Sequence, residues 1–291
     1  MGATLGNSGS PRWYDCDLQR FEEYLELLSD CGASGAEIVL HDGDADEFTS
    51  RVHVVREDWE PVIRRYRERD LSVSVHGPLT PEFSPQRWRE EPDRTLKRYR
   101  PVLDQVRELS REQGPTNLVL HAITDRSRTP GDNERQTARF LQAILNELER
   151  TSSDVTVNVE LRAYRPERAS AAATTRASAL RIVEQTESNL IGICWDLAHD
   201  LESRIVLGNE WVEPDEQFLN RVRHVHLHDL GPEDEPHYPP LTGRVPLESA
   251  LNRLDAVPAI MEVRWRMAER VGEPWDVLRR SYRAVQDRRR S

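Results

Sequence analysis

The six residues Val155-Thr-Val-Asn-Val-Glu160 decide how this chain is read. Successive side chains of an extended strand point to opposite faces, so Val155, Val157 and Val159 share one face while Thr156, Asn158 and Glu160 share the other. The valine face must meet helices. The other face is polar and ends on a carboxylate at the strand's last residue.

The same alternation recurs outward from this stretch. Ile191, Ile193 and Trp195 oppose Cys194 and Asp196, and Val225 and Leu227 oppose His224, His226 and His228. Ala259, Met261 and Val263 oppose Ile260, Glu262 and Arg264, and Val73 and Val75 oppose Ser72, Ser74 and His76. Strands are therefore predicted at 36–40, 71–76, 117–121, 155–160, 190–196, 222–227 and 259–263, with a weaker first strand at 3–6. The centres Ile38, Ser74, Val119, Val157, Ile193, Val225 and Ile260 lie about 32 to 45 residues apart, the period of a strand-plus-helix unit. Between strands, Leu18, Phe21, Leu25 and Leu28, and again Val102, Val106 and Leu109, fall at helical spacing. Pro274 opens a closing helix through Val277, Leu278 and Val285. The expected fold is α/β, a (β/α)8 TIM barrel forming a single domain over residues 1–291. The rival, an open doubly wound sheet, usually carries a glycine-rich phosphate turn, and neither GxGxxG nor GxxxxGK[ST] occurs in the chain.

The 291 residues are 37% hydrophobic and 31% charged, with a mean hydropathy of -0.71, which describes a globular chain with a large core. No apolar run approaches the roughly 18 residues of a spanning helix, and the first residues lack the pattern of a signal peptide. A cytoplasmic protein without a membrane partner is expected. Cys16, Cys31 and Cys194 form no CxxC pair and read as buried thiols. Against 51 acidic side chains stand 40 basic ones, a net charge of -11 that disfavours nucleic acid as the main partner. Lys97 is the one lysine, and the run Arg288-Arg289-Arg290 reads as a solvated end.

The inward residue at the C-terminal end of each predicted strand is repeatedly ionisable: His76, His121, Glu160, Asp196, His226 and Glu262. Uncompensated, such groups inside a barrel would each cost several kcal/mol, and a bound cation compensates them directly. Three carboxylates and one imidazole from four successive strands (Glu160, Asp196, His226, Glu262) form an oxygen-rich, single-nitrogen donor set suited to Mn, Mg, Co or Zn. His224, one pleat below His226, reads as a hydrogen-bonded interior residue, and His41 and His53 as surface residues.

Eight short stretches, in this order, carry a resemblance: Gly32-Ala-Ser-Gly-Ala-Glu-Ile-Val39, Val75-His-Gly-Pro78, Leu118-Val-Leu-His121, Val159-Glu160, Cys194-Trp-Asp-Leu-Ala-His199, His224-Val-His-Leu-His-Asp229, Pro240-Leu-Thr-Gly-Arg-Val245 and Met261-Glu-Val263. With them the chain resembles the xylose isomerase-like TIM-barrel superfamily of sugar isomerases, epimerases and abasic-site endonucleases. The resemblance implies a divalent metal on Glu160, Asp196, His226 and Glu262, with Glu160 and Glu262 also moving protons, because a proton beside a carbonyl is weakly acidic and a metal stabilises the enediolate its removal leaves. It further implies a small sugar or polyol substrate bound by His76, His121, His199, His237 and Arg264. The loop Leu230-Gly-Pro-Glu-Asp-Glu-Pro-His237 is acidic and lacks the arginine that sugar epimerases often place there, leaving Arg264, Arg244 or Arg162 as substitutes. Trp13 and Trp88 either line the pocket or pack against helices or a second subunit, and a homo-oligomer is compatible with the sequence. Within the same fold the alternatives are a zinc-dependent abasic-site phosphodiesterase, which the abundance of histidine favours, a keto-inositol dehydratase-like lyase, and a non-catalytic barrel.

Overall fold

The computed structural model describes residues 5–7, 18–41, 53–55, 59–77, 85–149, 154–186, 188–241, 243–254 and 256–290. Along the chain run β1 (Leu5–Asn7), α1 (Leu18–Asp30), β2 (Gly35–His41), β3 (His53–Val55), α2 (Trp59–Arg67), β4 (Ser72–His76), α3 (Pro92–Gln113), β5 (Thr116–Leu120), α4 (Pro130–Glu149) and β6 (Val155–Glu160). There follow α5 (Arg176–Glu184), β7 (Ile191–Asp196), α6 (Leu197–Val206), α7 (Glu216–Leu219), β8 (Val222–Leu227), α8 (Glu248–Leu251), β9 (Ala259–Met261), α9 (Trp265–Val271) and α10 (Pro274–Arg290). The chain divides into two compact units, residues 75–224 and residues 1–74 with 225–291, and both cuts fall inside a strand, β4 and β8.

In residues 75–224 the strands β5, β6 and β7 are parallel neighbours, and the end of β4 joins β5 with His76 opposite Val119. Every β6 residue except Thr156 is buried, as expected of a parallel strand covered on both faces. Asn158 donates from its amide to Asn117 on β5 at 2.9 Å, and a Cβ at Gly192 on β7 would lie 2.8 Å from the Asn158 side-chain Oδ1 and 2.5 Å from the Arg223 side chain, so the strand keeps glycine there. α3 lays Tyr99, Val102, Leu103, Val106 and Leu109 against this sheet, the spacing of one helical face. α4 adds Phe140, Leu141, Ile144, Leu145 and Leu148, with Phe140 between Tyr99 at 5.4 Å and Trp88 at 5.6 Å. Trp88 thus packs on a helix, while Trp13 lies outside the described residues.

In the other unit β1, β9 and β8 are parallel neighbours, as are β2 and β3. α1 buries Phe21, Tyr24, Leu25 and Leu28, and α10 buries Val277, Leu278, Tyr282 and Val285, starting at Pro274 as its fixed φ favours. Residues 53–55 form a short strand paired with β2 that the sequence reading did not include. Two sequence expectations are corrected. β5 stops at Leu120 and β9 at Met261, so His121 and Glu262 stand just beyond their strands. Arg288 is tied to Glu248 at 3.0 Å, so the arginine run does not begin as a purely solvated end. Cys31 and Cys194 are buried thiols, and burial pushes the Cys31 thiol up; Cys16 lies outside the described residues. Among the described residues no helix is long and apolar enough to cross a membrane.

Candidate active site

The parallel register of residues 75–224 gathers one polar cluster at the strand ends. Leu120 pairs with Val159, so His121, next in the chain, comes beside Glu160. His121 Nε2 lies 2.7 Å from Glu160 Oε2, and His76 Nε2 lies 3.4 Å from the same oxygen, with the two rings edge to face at 4.9 Å. Nδ1 of His76 faces the Gly77 carbonyl at 3.1 Å, which fixes the ring's rotation. His76, His121 and Glu160 each offer a donor atom within 4.8 Å of the others, a spacing that could hold an ion.

Burial and the Arg162 cation hold the His121 imidazole neutral by lowering its pKa to about 3, despite the carboxylate beside it. For Glu160, burial alone would favour the neutral acid. The hydrogen bonds of His121 and His76 to the carboxylate overcome burial and hold the carboxyl well below the usual carboxylate range. The site therefore contains a fully buried anion fastened by imidazoles.

Asp196 ends β7 and caps α6, accepting from the His199 backbone N–H at 2.9 Å with Oδ1 while Oδ2 stands 3.1 Å from His199 Nδ1. The same His199 Nδ1 is 3.7 Å from Glu160 Oε1. The Asp-x-x-His spacing is thus a helix cap that also aims an imidazole at a glutamate. Arg176 on α5 stacks 4.5 Å over Trp211 and pairs with Asp200 at 2.5 Å, which ties this helix in place.

The unit of residues 1–74 and 225–291 holds a second polar cluster. His226 on β8 is fully buried; its Nδ1 lies 3.2 Å from Glu262 Oε2 and its Nε2 lies 3.2 Å from Glu37 Oε1. His237 Nδ1 lies 3.5 Å from the other Glu262 oxygen, and its ring stacks on His228 at 4.4 Å. His237 adopts φ 65, a left-handed conformation that costs a non-glycine residue, and is held there by its N–H donating to His228 Nδ1 at 2.8 Å and its carbonyl accepting from Arg264 N–H at 3.1 Å. Buried Asp229 accepts from the N–H groups of Leu230, Gly243 and Val245 at 2.9, 2.8 and 3.0 Å and so clamps both ends of the loop that carries His237.

Two of the three acids of that loop pair with arginines: Asp234 with Arg244, and Glu235 with Arg270 at 3.1 Å. Arg244 also donates to the Gly231 carbonyl and is thereby tied into its own loop. Arg264 is half-buried and next but one to Glu262, and Arg162 is close enough for its charge to act on His121. His224 is buried, as expected. His41 ends β2 and His53 opens β3, and their side chains lie outside the described residues.

Two functional candidates escaped the sequence reading, Glu37 and Asp229. Both sit in stretches that carry the family resemblance, and the available signal was an acid inside an otherwise apolar strand, Ala36-Glu-Ile-Val39, and one directly after a strand of alternating histidines. Glu160 and Asp196 are buried carboxylates of residues 75–224, and buried His226 with Glu262 adds an imidazole and a carboxylate in the other unit; oxygen-rich donors with an imidazole are of the kind that suits Mg, Mn, Co or Zn.

A family model described as a xylose isomerase-like TIM barrel matches residues 25–281. No curated protein matches the chain. Among solved structures, D-psicose 3-epimerase with D-tagatose from Clostridium cellulolyticum H10 is similar with a TM-score of 0.63 and 13% identity, over 93% of this chain and 92% of that one. A xylose isomerase domain protein from Alicyclobacillus acidocaldarius is similar at 0.63 and 15%, over 92% of each chain. The probable 3-DHS dehydratase AsbF from Bacillus anthracis is similar at 0.62 and 13%, over 91% of this chain and 93% of that one. With the family model spanning all but the ends, the chain belongs to the xylose isomerase-like TIM barrel family.

Proposed function

We propose that the chain is a divalent-metal-dependent isomerase or epimerase of a sugar, or of a sugar-like polyol or keto compound, acting by proton transfer beside a carbonyl. One observation supports this above others: two strand-end glutamates each have the carboxylate flanked by two imidazoles, Glu160 by His76 and His121, and Glu262 by His226 and His237. Ring nitrogens beside a carboxylate, donating a proton to it or sharing a cation with it, keep it aimed as a general base requires. One glutamate removes the proton next to the substrate carbonyl and the other returns it. His199, His76, His121, His237 and Arg264 bind and orient the substrate's hydroxyl oxygens. Glu160, Asp196, His226 and Glu262 would hold the metal, which when bound supplies positive charge for the oxygens that become negative during enolisation. The sugar epimerase among the similar structures agrees with a small carbohydrate substrate.

Metal content per chain on protein purified without added metal, followed by incubation with ketoses and inososes in deuterated water, tests this. About one equivalent of metal and deuterium entering the α-position are expected. Turnover without exchange, or no metal after incubation with each ion, would overturn it.

A second reading, a multi-metal phosphodiesterase, is favoured by the His76, His121 and Glu160 donor set. It requires chelator-sensitive cleavage of abasic-site duplex DNA that His121→Ala abolishes, and absence of cleavage by zinc-loaded protein disposes of it.

A further inference from the structure

We propose that Glu37 is the positioning residue of His226: its carboxylate takes the Nε2–H of the imidazole, so that the ring presents the Nδ1 lone pair on the side of Glu262. Glu37 lies on β2 between Ala36, Ile38 and Val39, all buried, and is itself fully buried. Packing alone asks for another apolar residue at that position, because an enclosed carboxylate costs several kcal/mol unless a partner compensates it. The partner is His226, also fully buried, with Nε2 at 3.2 Å from Glu37 Oε1 and 3.4 Å from Oε2. The Ser74 hydroxyl stands 3.4 Å from Glu37 Oε2 and 3.3 Å from the Ala36 carbonyl, and one hydroxyl proton serves only one of them.

The two nitrogens of an imidazole sit on different edges of the ring. Holding Nε2 against Glu37 leaves Nδ1 facing Glu262 Oε2 at 3.2 Å. A nitrogen lone pair and an ionised oxygen at that distance repel each other, and a cation shared between them turns the repulsion into ligation. A carboxylate behind a ligating histidine fixes tautomer and ring orientation and raises its basicity, and removing such a group commonly weakens metal binding 10- to 100-fold. The alternative is a purely structural ion pair, with the ring doubly protonated between two carboxylates. The affinity arm below rests on the metal reading proposed above; the tautomer arm does not.

The test uses full-length protein labelled with nitrogen-15 histidine, the His226 signals being assigned by their loss in His226→Gln. In the zinc-loaded protein, Nε2 is expected to carry the proton and Nδ1 to be the ligating nitrogen. In Glu37→Ala the Nε2 proton should exchange rapidly, and the dissociation constants for zinc and manganese should rise about 10- to 100-fold. Glu37→Gln, whose amide oxygen still accepts the Nε2–H, should recover most of the affinity. A wild-type affinity in a folded Glu37→Ala, or ligation through Nε2, overturns the proposal. Should the wild type bind no metal, the metal reading fails by itself. The tautomer then decides in metal-free protein above the ordinary imidazole range: protonation at Nε2 in the wild type that is lost in Glu37→Ala supports the role, and a proton on Nδ1 overturns it. If Glu37→Ala does not fold, the wild-type tautomer decides alone, Nε2–H in favour and Nδ1–H against.

Discussion

A carboxylate that must remain ionised out of water needs donors, and Glu160 has two imidazoles, His121 and His76, on one oxygen, with His199 standing 3.7 Å from the other. Replacing it by the isosteric amide keeps the volume and removes the charge. Glu160→Gln is therefore expected to lower metal occupancy and to slow α-hydrogen exchange by about 10²- to 10⁴-fold, as for loss of a general base, while far-UV circular dichroism stays unchanged. Asp196→Asn should also lower metal content, measured by plasma mass spectrometry, while its cap on the His199 N–H is kept, because asparagine caps a helix about as well as aspartate. Full metal occupancy in both variants would contradict the ligand assignment. These residues were legible because strand parity marks them one at a time. Glu37 was not, because nothing in one strand's alternation says which histidine, 189 positions away, its carboxylate meets.

Elements in this fold are locked to one another by few polar ties and much apolar contact. Phe140 of α4 touches Trp88 and Tyr99 and is fully buried, so Phe140→Ala should cost about 3 to 5 kcal/mol in urea denaturation. α4 is also joined to α5 through Glu134, which accepts from the Ser178 hydroxyl at 2.7 Å and from Arg181 Nε at 2.8 Å. Burial pushes this carboxyl up, yet Arg181 and Ser178 outweigh it and its pKa is lowered. Because the folded pKa lies below the unfolded one, the contribution is complete above the ordinary glutamate range and disappears as pH falls through the folded value. Glu134→Gln is expected to be destabilised by about 1 to 2 kcal/mol at neutral pH, Arg181 being half exposed, and to differ little from wild type at strongly acidic pH. Equal losses at both pH values would show that the tie is not ionic. Most strand and helix positions could be predicted because periods of 2 and 3.6 leave a pattern in hydropathy. The end of β9 could not be placed, because Glu262 and Val263 continue the alternation of Ala259–Met261 although the ladder has stopped. The three-residue β3 is too short to show a period at all.

At the scale of the molecule, a ligand that binds only the folded chain stabilises it, by about 2.7 kcal/mol at a hundred times its dissociation constant. Manganese, cobalt or zinc should accordingly raise the melting temperature, a chelator should reverse the rise, and Glu160→Gln should abolish it; a scan unchanged by every ion would speak against a resident metal. The barrel class was legible from the recurrence of strands over the whole chain, a signal that survives the 13% identity at which the solved epimerase was matched. The substrate was not, because it depends on segments such as residues 230–244, where no period operates. The Asp229 clamp gives that segment a particular character. Its two ends are pinned to one carboxylate by three backbone N–H groups, interactions that do not depend on the side chains between them. The stretch is a cassette between fixed sockets, so exchanging Pro232–Pro236 is expected to leave His237 and the strand beneath in their places.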